Sequence, residues 1–234
     1  MPPSAPKPPP PAAPGAARER GGLGLTYVLL SLTVVSGVID AVSYLGLGRV
    51  FTANMTGNVA VLGFAAAGAP GFSALHALVS LGAFFAGSAA GGRLARWYEG
   101  RKRRAWVRTS LTVEAALLGA ATVVAAVAGD GSAGAEYTLI ALTGVAMGLR
   151  NSTVQGLGVA DLTTTVLTRT LSGLFSDAPL ADPRRTLRRV GSVLALLAGA
   201  VLGAWLVVEH DLWVPLLIVT AVAAVMAATA SGRE

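Results

Sequence analysis

The chain has 234 residues, 53% of them apolar and 13% charged, with 29 glycines, no cysteine and a formal net charge of +6. Soluble domains carry about 25% charged residues, and a mean hydropathy of +0.64 marks a chain built for lipid. The composition excludes a disulfide framework and a thiolate metal site, and basic residues gathered at the ends of apolar spans, with no aromatic groove among them, argue against a nucleic-acid partner.

Residues 1–20 (MPPSAPKPPPPAAPGAARER) are rich in proline and alanine and cannot form a core, which predicts a disordered cytoplasmic tail. The tail holds too much proline to open a signal peptide, and the apolar run behind it is too long, so it is expected to be retained. Eight apolar segments follow, at 25–48, 51–69, 73–96, 107–129, 136–158, 162–176, 190–208 and 212–230. A membrane helix needs roughly 20 mostly apolar residues. The second and sixth segments fall short of that.

Charge decides whether those two cross. Arg18 and Arg20 precede the first segment, seven basic residues lie between Arg93 and Arg108, and Arg184, Arg185, Arg188 and Arg189 precede the seventh segment. The links GDGSAGAE and EHD, before the fifth and eighth segments, hold neither Lys nor Arg. The positive-inside rule puts every basic cluster in the cytoplasm, which requires the second and sixth segments to return to the side they left. The expected fold is an all-α membrane protein of the bacterial inner membrane, with six transmembrane helices, two short re-entrant or broken segments and both termini cytoplasmic. It forms one membrane domain over 21–230, made of repeats 25–129 and 136–230. At an offset of 111–112 residues Gly37 matches Gly148, Asp40 matches Asn151 and Thr52 matches Thr163. Three crossings per half is an odd number, so the second repeat has to be inverted relative to the first.

The stretch GVIDAVSYLGLGRVFTANMTGN at 37–58 resembles the N-terminal signature of the YoaK-like family of bacterial membrane proteins, a domain of unknown function. GLRNSTVQGLGVADLTTTVLTRTLSGL at 148–174 is similar to the family's second block, and the resemblance spans about residues 25–230. It implies a multi-pass inner-membrane protein and brings no activity, cofactor or ligand. Arg150 and Arg169 stand where the family is associated with Gln and a small residue, which counts against either arginine in a shared mechanism.

Polar groups inside apolar segments are costly in hydrocarbon and are kept facing a bundle interior or a wet cavity. Ser36, Asp40 and Ser43 share one face of the first helix by their spacing. Thr52, Asn54, Thr56 and Asn58 crowd the second segment around a break at Gly57, Asn151 and Gln155 occupy the matching stripe of the fifth, and Thr164 and Thr168 lie in the sixth. These eleven residues form the candidate polar site. Asp40 either lines a path for a solute or ion, or holds the bundle together by pairing with Arg150 or bonding the second segment. Glu114, close to the basic link, is expected to snorkel or make a local salt bridge, with coupling to transport as the alternative, and His76 and His210 to be solvated loop groups. Trp97, Tyr98 and Trp106 suit interface anchors, and Gly82, Gly87, Gly91, Gly92, Gly199 and Gly203 make small faces for helix packing.

No HExxH, GxSxG or phosphate-binding glycine loop is present, so neither an enzyme nor a cofactor is expected. The favoured function is a secondary transporter or permease for a small solute or ion, with proton coupling through Asp40 as one form of it. A noncatalytic membrane scaffold and a narrow channel are the alternatives. Expected partners are the solute or ion and the lipid bilayer, with a homo-oligomer left open.

Overall fold

The computed structural model describes residues 23–100, 103–128, 132–157 and 183–229, and the regular structure among them is helical throughout. Helix α1 is Leu23–Gly46, α2 Met55–Ala66, α3 Ala74–Trp97, α4 Arg103–Ala128, α5 Ala133–Leu157, α6 Pro183–Glu209 and α7 Trp213–Thr229. The tail and the sixth predicted segment, with Thr164 and Thr168, lie outside the described residues. By length and composition three spans suffice to cross a membrane: Ala74–Trp97, Arg103–Ala128 and Val190–Glu209. The 12 residues of α2 make only about 18 Å of helix, well short of a hydrocarbon core of about 30 Å.

Two helix pairs are built on glycine. Parallel α1 and α6 meet where Gly37 lies against the backbone of Leu196 and Ala200, Gly199 against Val34, and Gly203 against Val38 and Ala41. Parallel α3 and α5 meet where Gly148 lies against Phe84 and Ser88, Gly87 against Val145, and Gly91 against Leu149 and Ser152. A Cβ at Gly203 would stand 2.8 Å from the Cα of Val38, and one at Gly91 2.7 Å from the Cβ of Ser152, so only glycine admits these approaches. Hydroxyls stitch the second pair further: Ser88 donates to Gly148 O (3.2 Å) and Ser152 to Ser88 O (2.7 Å). Gly82 faces open space and Gly92 meets only the tip of Arg96, so the packing role expected of those two is not realised.

The remaining contacts fix direction. Glu114 meets Arg150 and Gly156 meets Trp106, so α4 runs antiparallel to α5. At the end opposite the Arg93–Arg108 cluster, Leu212 packs on Gly46, and His76 and Glu136 flank Gly48. Hence α1, α4 and α6 run from the basic end to the far end, and α3, α5 and α7 run back. Helices α4 and α7 touch through the Thr122 and Thr220 hydroxyls, 3.1 Å apart, each also bonded to its own helix backbone. The core fills the space among these helices with Ile39, Val42, Leu118, Ile140, Leu216 and Val219. Trp97 is exposed, as an interface anchor should be, whereas Trp106 is 7% exposed and inserted beside Gly156 instead.

Candidate functional site

The polar site begins where α1 stops. Leu47 N–H closes the last turn on Ser43 O (3.1 Å), and Gly48 (φ 74°) and Arg49 (φ 60°) then turn the chain through the left-handed region. Gly48 carries this conformation without strain, and its missing Cβ leaves room for the side-chain tips of His76 and Glu136. Arg49 bears the cost of positive φ and lays its guanidinium 5.8 Å from the ring centroid of Phe72. The chain then descends beside α1. The Oδ1 atom of Asp40 accepts hydrogen bonds from Ala53 N–H (2.8 Å) and Asn54 N–H (3.3 Å). Asp40 lies six residues before Gly46, so α2 starts about 9 Å back from the end of α1.

A second brace satisfies the irregular backbone from the other side. Asn58 accepts from Phe51 N–H (2.8 Å) and donates to Phe51 O (2.5 Å) and Ser80 Oγ (2.9 Å), while Ser80 donates to Phe51 O (2.6 Å). Each polar group of that knot has a partner, as irregular backbone away from water requires. The break expected at Gly57 falls earlier, at 47–54. Gly57 is already inside α2, and its missing Cβ makes room for the Phe51 ring, which stacks on Tyr44 at 4.9 Å.

The structure brings Asp40, Ser43, Asn58 and the backbone of 51–54 together. Ser43 donates to Asp40 O (3.2 Å), and Thr52 is fully buried with no hydrogen-bond partner for its hydroxyl. Ser36 is buried one turn below Asp40 and bonds Leu32 O (3.1 Å). Asn54 and Thr56 are exposed and turn away from this cluster, as does Gln155 at the other end of the molecule. Asn151 is half-buried, six residues from the basic end of α5, whereas Asp40 lies six residues from the far end of α1.

The strongest polar contact is absent from the candidate set. Arg150 donates through Nε (2.8 Å) and Nη2 to Oε1 of Glu114, and through Nη1 to Leu32 O (3.0 Å) and Ser36 Oγ (3.3 Å). Arg150 is 5% and Glu114 1% exposed. The Asp40–Arg150 pairing is therefore not made, and Glu114 neither snorkels nor pairs with the surface cluster. A lone acid in one apolar segment and a lone base in another, seven and eight residues from the basic ends of segments 107–129 and 136–158, is the signal that could have joined them. Below Glu114 on the same face of α4, Ser110 Oγ and Trp106 Nε1 are buried without partners. Trp106 also lines a cavity of about 410 Å³ at the basic end, with Arg96, Tyr98, Arg103 and Gly156. Arg103 there donates to Leu157 O (2.6 Å).

At the far end His76 is half-buried, not solvated: its Nε2 lies 3.6 Å from Glu136 Oε1 and its ring 4.7 Å from that of Tyr137. Ser73 caps α3 by accepting from His76 N–H (3.3 Å), which sets that ring at the helix start. His210 is exposed beside Trp205.

No solved structure matches the chain. It is similar to the UPF0700 transmembrane protein YoaK of Bacillus subtilis (strain 168), with 29% identity over 206 residues that cover 82% of this chain and 89% of that protein. The sequence profile described as "Protein of unknown function (DUF1275)" matches residues 28–229, a span that takes in both the dip before α2 and the Arg150–Glu114 contact, and the chain belongs to that family of membrane proteins.

Proposed function

We propose that the protein is a secondary transporter or permease for a small solute or ion, built as two inverted repeats of three crossings each, with α2 re-entrant. The observation that carries this reading is the reciprocity of the glycine contacts. Val34, Val38 and Ala41 on α1 correspond at an offset of 111 to Val145, Leu149 and Ser152 on α5, while Gly199 and Gly203 on α6 correspond at an offset of 112 to Gly87 and Gly91 on α3. Each half thus lends its first helix to the other half's third segment, and corresponding helices run in opposite directions. Such exchanged, oppositely directed repeats allow one interior site to face either side in turn. The start of α2 inside the bundle, held by Asp40, agrees with the discontinuous helices such machines use at their sites. With the basic clusters inside, both termini are cytoplasmic and the His76 end is external. The transporter acts without covalent chemistry on its solute.

A membrane scaffold is the second reading, favoured by the internal pairing of Asn58 and Arg150. Reconstituted vesicles separate the two. A transporter moves solutes from a panel of small acids, amines, neutral metabolites and inorganic ions under an imposed pH gradient or membrane potential. Folded protein that moves none of them under either gradient leaves the scaffold standing.

A further inference from the structure

We propose that Arg150 is the binding group for a small monovalent carboxylate, and that Glu114 is its built-in stand-in, released from the guanidinium by taking up a proton. One anion and one proton then travel together; this rests on the transporter reading above. Among the described residues Arg150 is the one buried cation. The guanidinium edge it gives to Glu114, formed by Nε and Nη2, is the edge that takes both oxygens of a carboxylate. Glu114 fills it with Oε1 alone, whereas a free carboxylate can offer both oxygens in line. Nη1 is tied separately to Leu32 O and Ser36 on α1, so the guanidinium keeps its place when Glu114 leaves.

The neighbourhood supplies an acceptor for a protonated Glu114 and, two turns along the same face of α4, a cavity at the basic end. One turn toward the basic end, Ser110 Oγ is buried without a partner and can accept from a protonated Glu114. Trp106, a further turn along, borders the cavity that Arg96, Arg103 and Glu99 also line, where two cations against one carboxylate leave a net positive mouth. Other titratable groups stand apart from the pair. Helix α7 has none, those of α3 and the rest of α4 and α5 sit toward the helix ends, and Asp40 on α1 is one turn beyond Ser36.

Charge balance makes the coupling obligatory. At rest the buried pair is neutral, and an anion arriving alone would leave a net negative charge beside Glu114, which is costly away from water. In the exchange a hydronium ion gives its proton to the Glu114 carboxylate and leaves water. The protonated acid quits Arg150, and the incoming carboxylate takes its place, so the site is neutral in both states.

The test uses the full-length protein purified in detergent and in vesicles, with formate, acetate and lactate as probes and nitrate as a second anion. In weakly buffered solution each bound carboxylate should take up one proton, and a Kd linked to one proton should rise about tenfold per pH unit. Glu114→Gln, which imitates the protonated acid, should bind with pH-independent Kd and no proton uptake, and Arg150→Gln should lose binding at least tenfold. If either variant fails to fold, proton uptake by the unmodified protein decides alone. Carboxylate binding without proton uptake, or no carboxylate binding at millimolar concentration by folded protein, overturns the proposal and leaves a structural ion pair. Vesicles that move another solute while carboxylates do not bind refute this inference and not the transporter reading. Proton-linked binding with silent vesicles does the reverse.

Discussion

Alanine at Gly87 or Gly199 should force apart a helix pair, and the structure says by how much. A Cβ at Gly87 would run into the carbonyl of Val145, with the carbonyl carbon 2.8 Å away, and one at Gly199 into that of Val34, with the carbon at 2.9 Å. Non-bonded carbons rest at about 3.5–4.0 Å, so the backbones must separate by roughly 1 Å. The obstacle is backbone, so no rotamer change relieves it, and the cost belongs with overpacking at about 1–3 kcal/mol. Gly82→Ala is the control. Its Cβ meets nothing within 4 Å, and it shares the helix-propensity gain of about 1 kcal/mol that any mid-helix Gly→Ala brings. A difference of about 2 kcal/mol corresponds to an apparent Tm roughly 4–8 °C below the control for a chain of this size. Thermal unfolding of the detergent-purified variants measures it. The argument fails if Gly87→Ala melts with Gly82→Ala. If Gly87→Ala and Gly199→Ala differ by more than about 1 kcal/mol, the two glycines do not do the same work and the repeat reading suffers with them.

Asn58→Leu should lower stability by about 1–3 kcal/mol, because it leaves the Phe51 N–H unpaired and the Phe51 carbonyl with Ser80 alone, and Asn58→Asp should not restore it; thermal unfolding reads both. Asp40→Asn keeps an acceptor for Ala53 and Asn54 and should cost about 1 kcal/mol, whereas Asp40→Ala should cost about 2–3 kcal/mol. Asp40→Asn and Arg150→Gln should be additive within about 0.5 kcal/mol, whereas Glu114→Gln and Arg150→Gln should couple by about 1–3 kcal/mol, since only the second pair is in contact; double-mutant cycles on Tm decide. Single cysteines placed at Gly100 and His210, in a chain with none of its own, should label with membrane-impermeant maleimide from opposite sides of the membrane; labelling of both from one side refutes the assigned topology.

Much of the helix plan was open to reading from the chain, because apolar run length and charge placement act locally. Seven of the eight predicted segments have helical counterparts among the described residues, and the second is short because the chain before it is irregular, bonded by Asp40, Asn58 and Ser80. What the pattern could not supply was partners. Glu114 looked like a surface acid because seven basic residues lie near it in sequence, yet its face of α4 turns inward, and the base it meets comes from α5. Gly57 looked like a break because glycine weakens helices, yet its role is clearance for Phe51. His76 looked like a loop residue, yet the glycine pairing of α3 with α5 sets it beside Glu136. The Glu114 and His76 misses concern contacts between segments distant in sequence, which neither periodicity nor composition encodes.

The two kinds of contact in the interior differ in what they permit. Glycine packing joins α1 to α6 and α3 to α5 backbone against backbone, and interlocked surfaces of that sort do not slide without losing their fit. Between the pairs α1 shares the apolar core and adds two polar ties: Asp40 to the backbone before α2, which packs on α3, and Arg150 of α5 to Leu32 O and Ser36. A hydrogen bond to a carboxylate, carbonyl or hydroxyl can be exchanged for another to water or solute at little net cost, since the group stays satisfied. In the transport reading the glycine pairs are therefore the rigid bodies and the ties are the gates. The Asp40 tie lies nearer the His76 end and the Arg150 tie nearer the basic end, with eight residues of α1, about 12 Å, from Leu32 to Asp40. Opening one tie while the other holds tilts α1/α6 against α3/α5 about the intact tie, which exposes the interior from one end at a time. Asp40 is itself the acceptor of its tie, so a proton there weakens that tie directly, whereas the Arg150 tie is made by Nη1 and does not pass through Glu114.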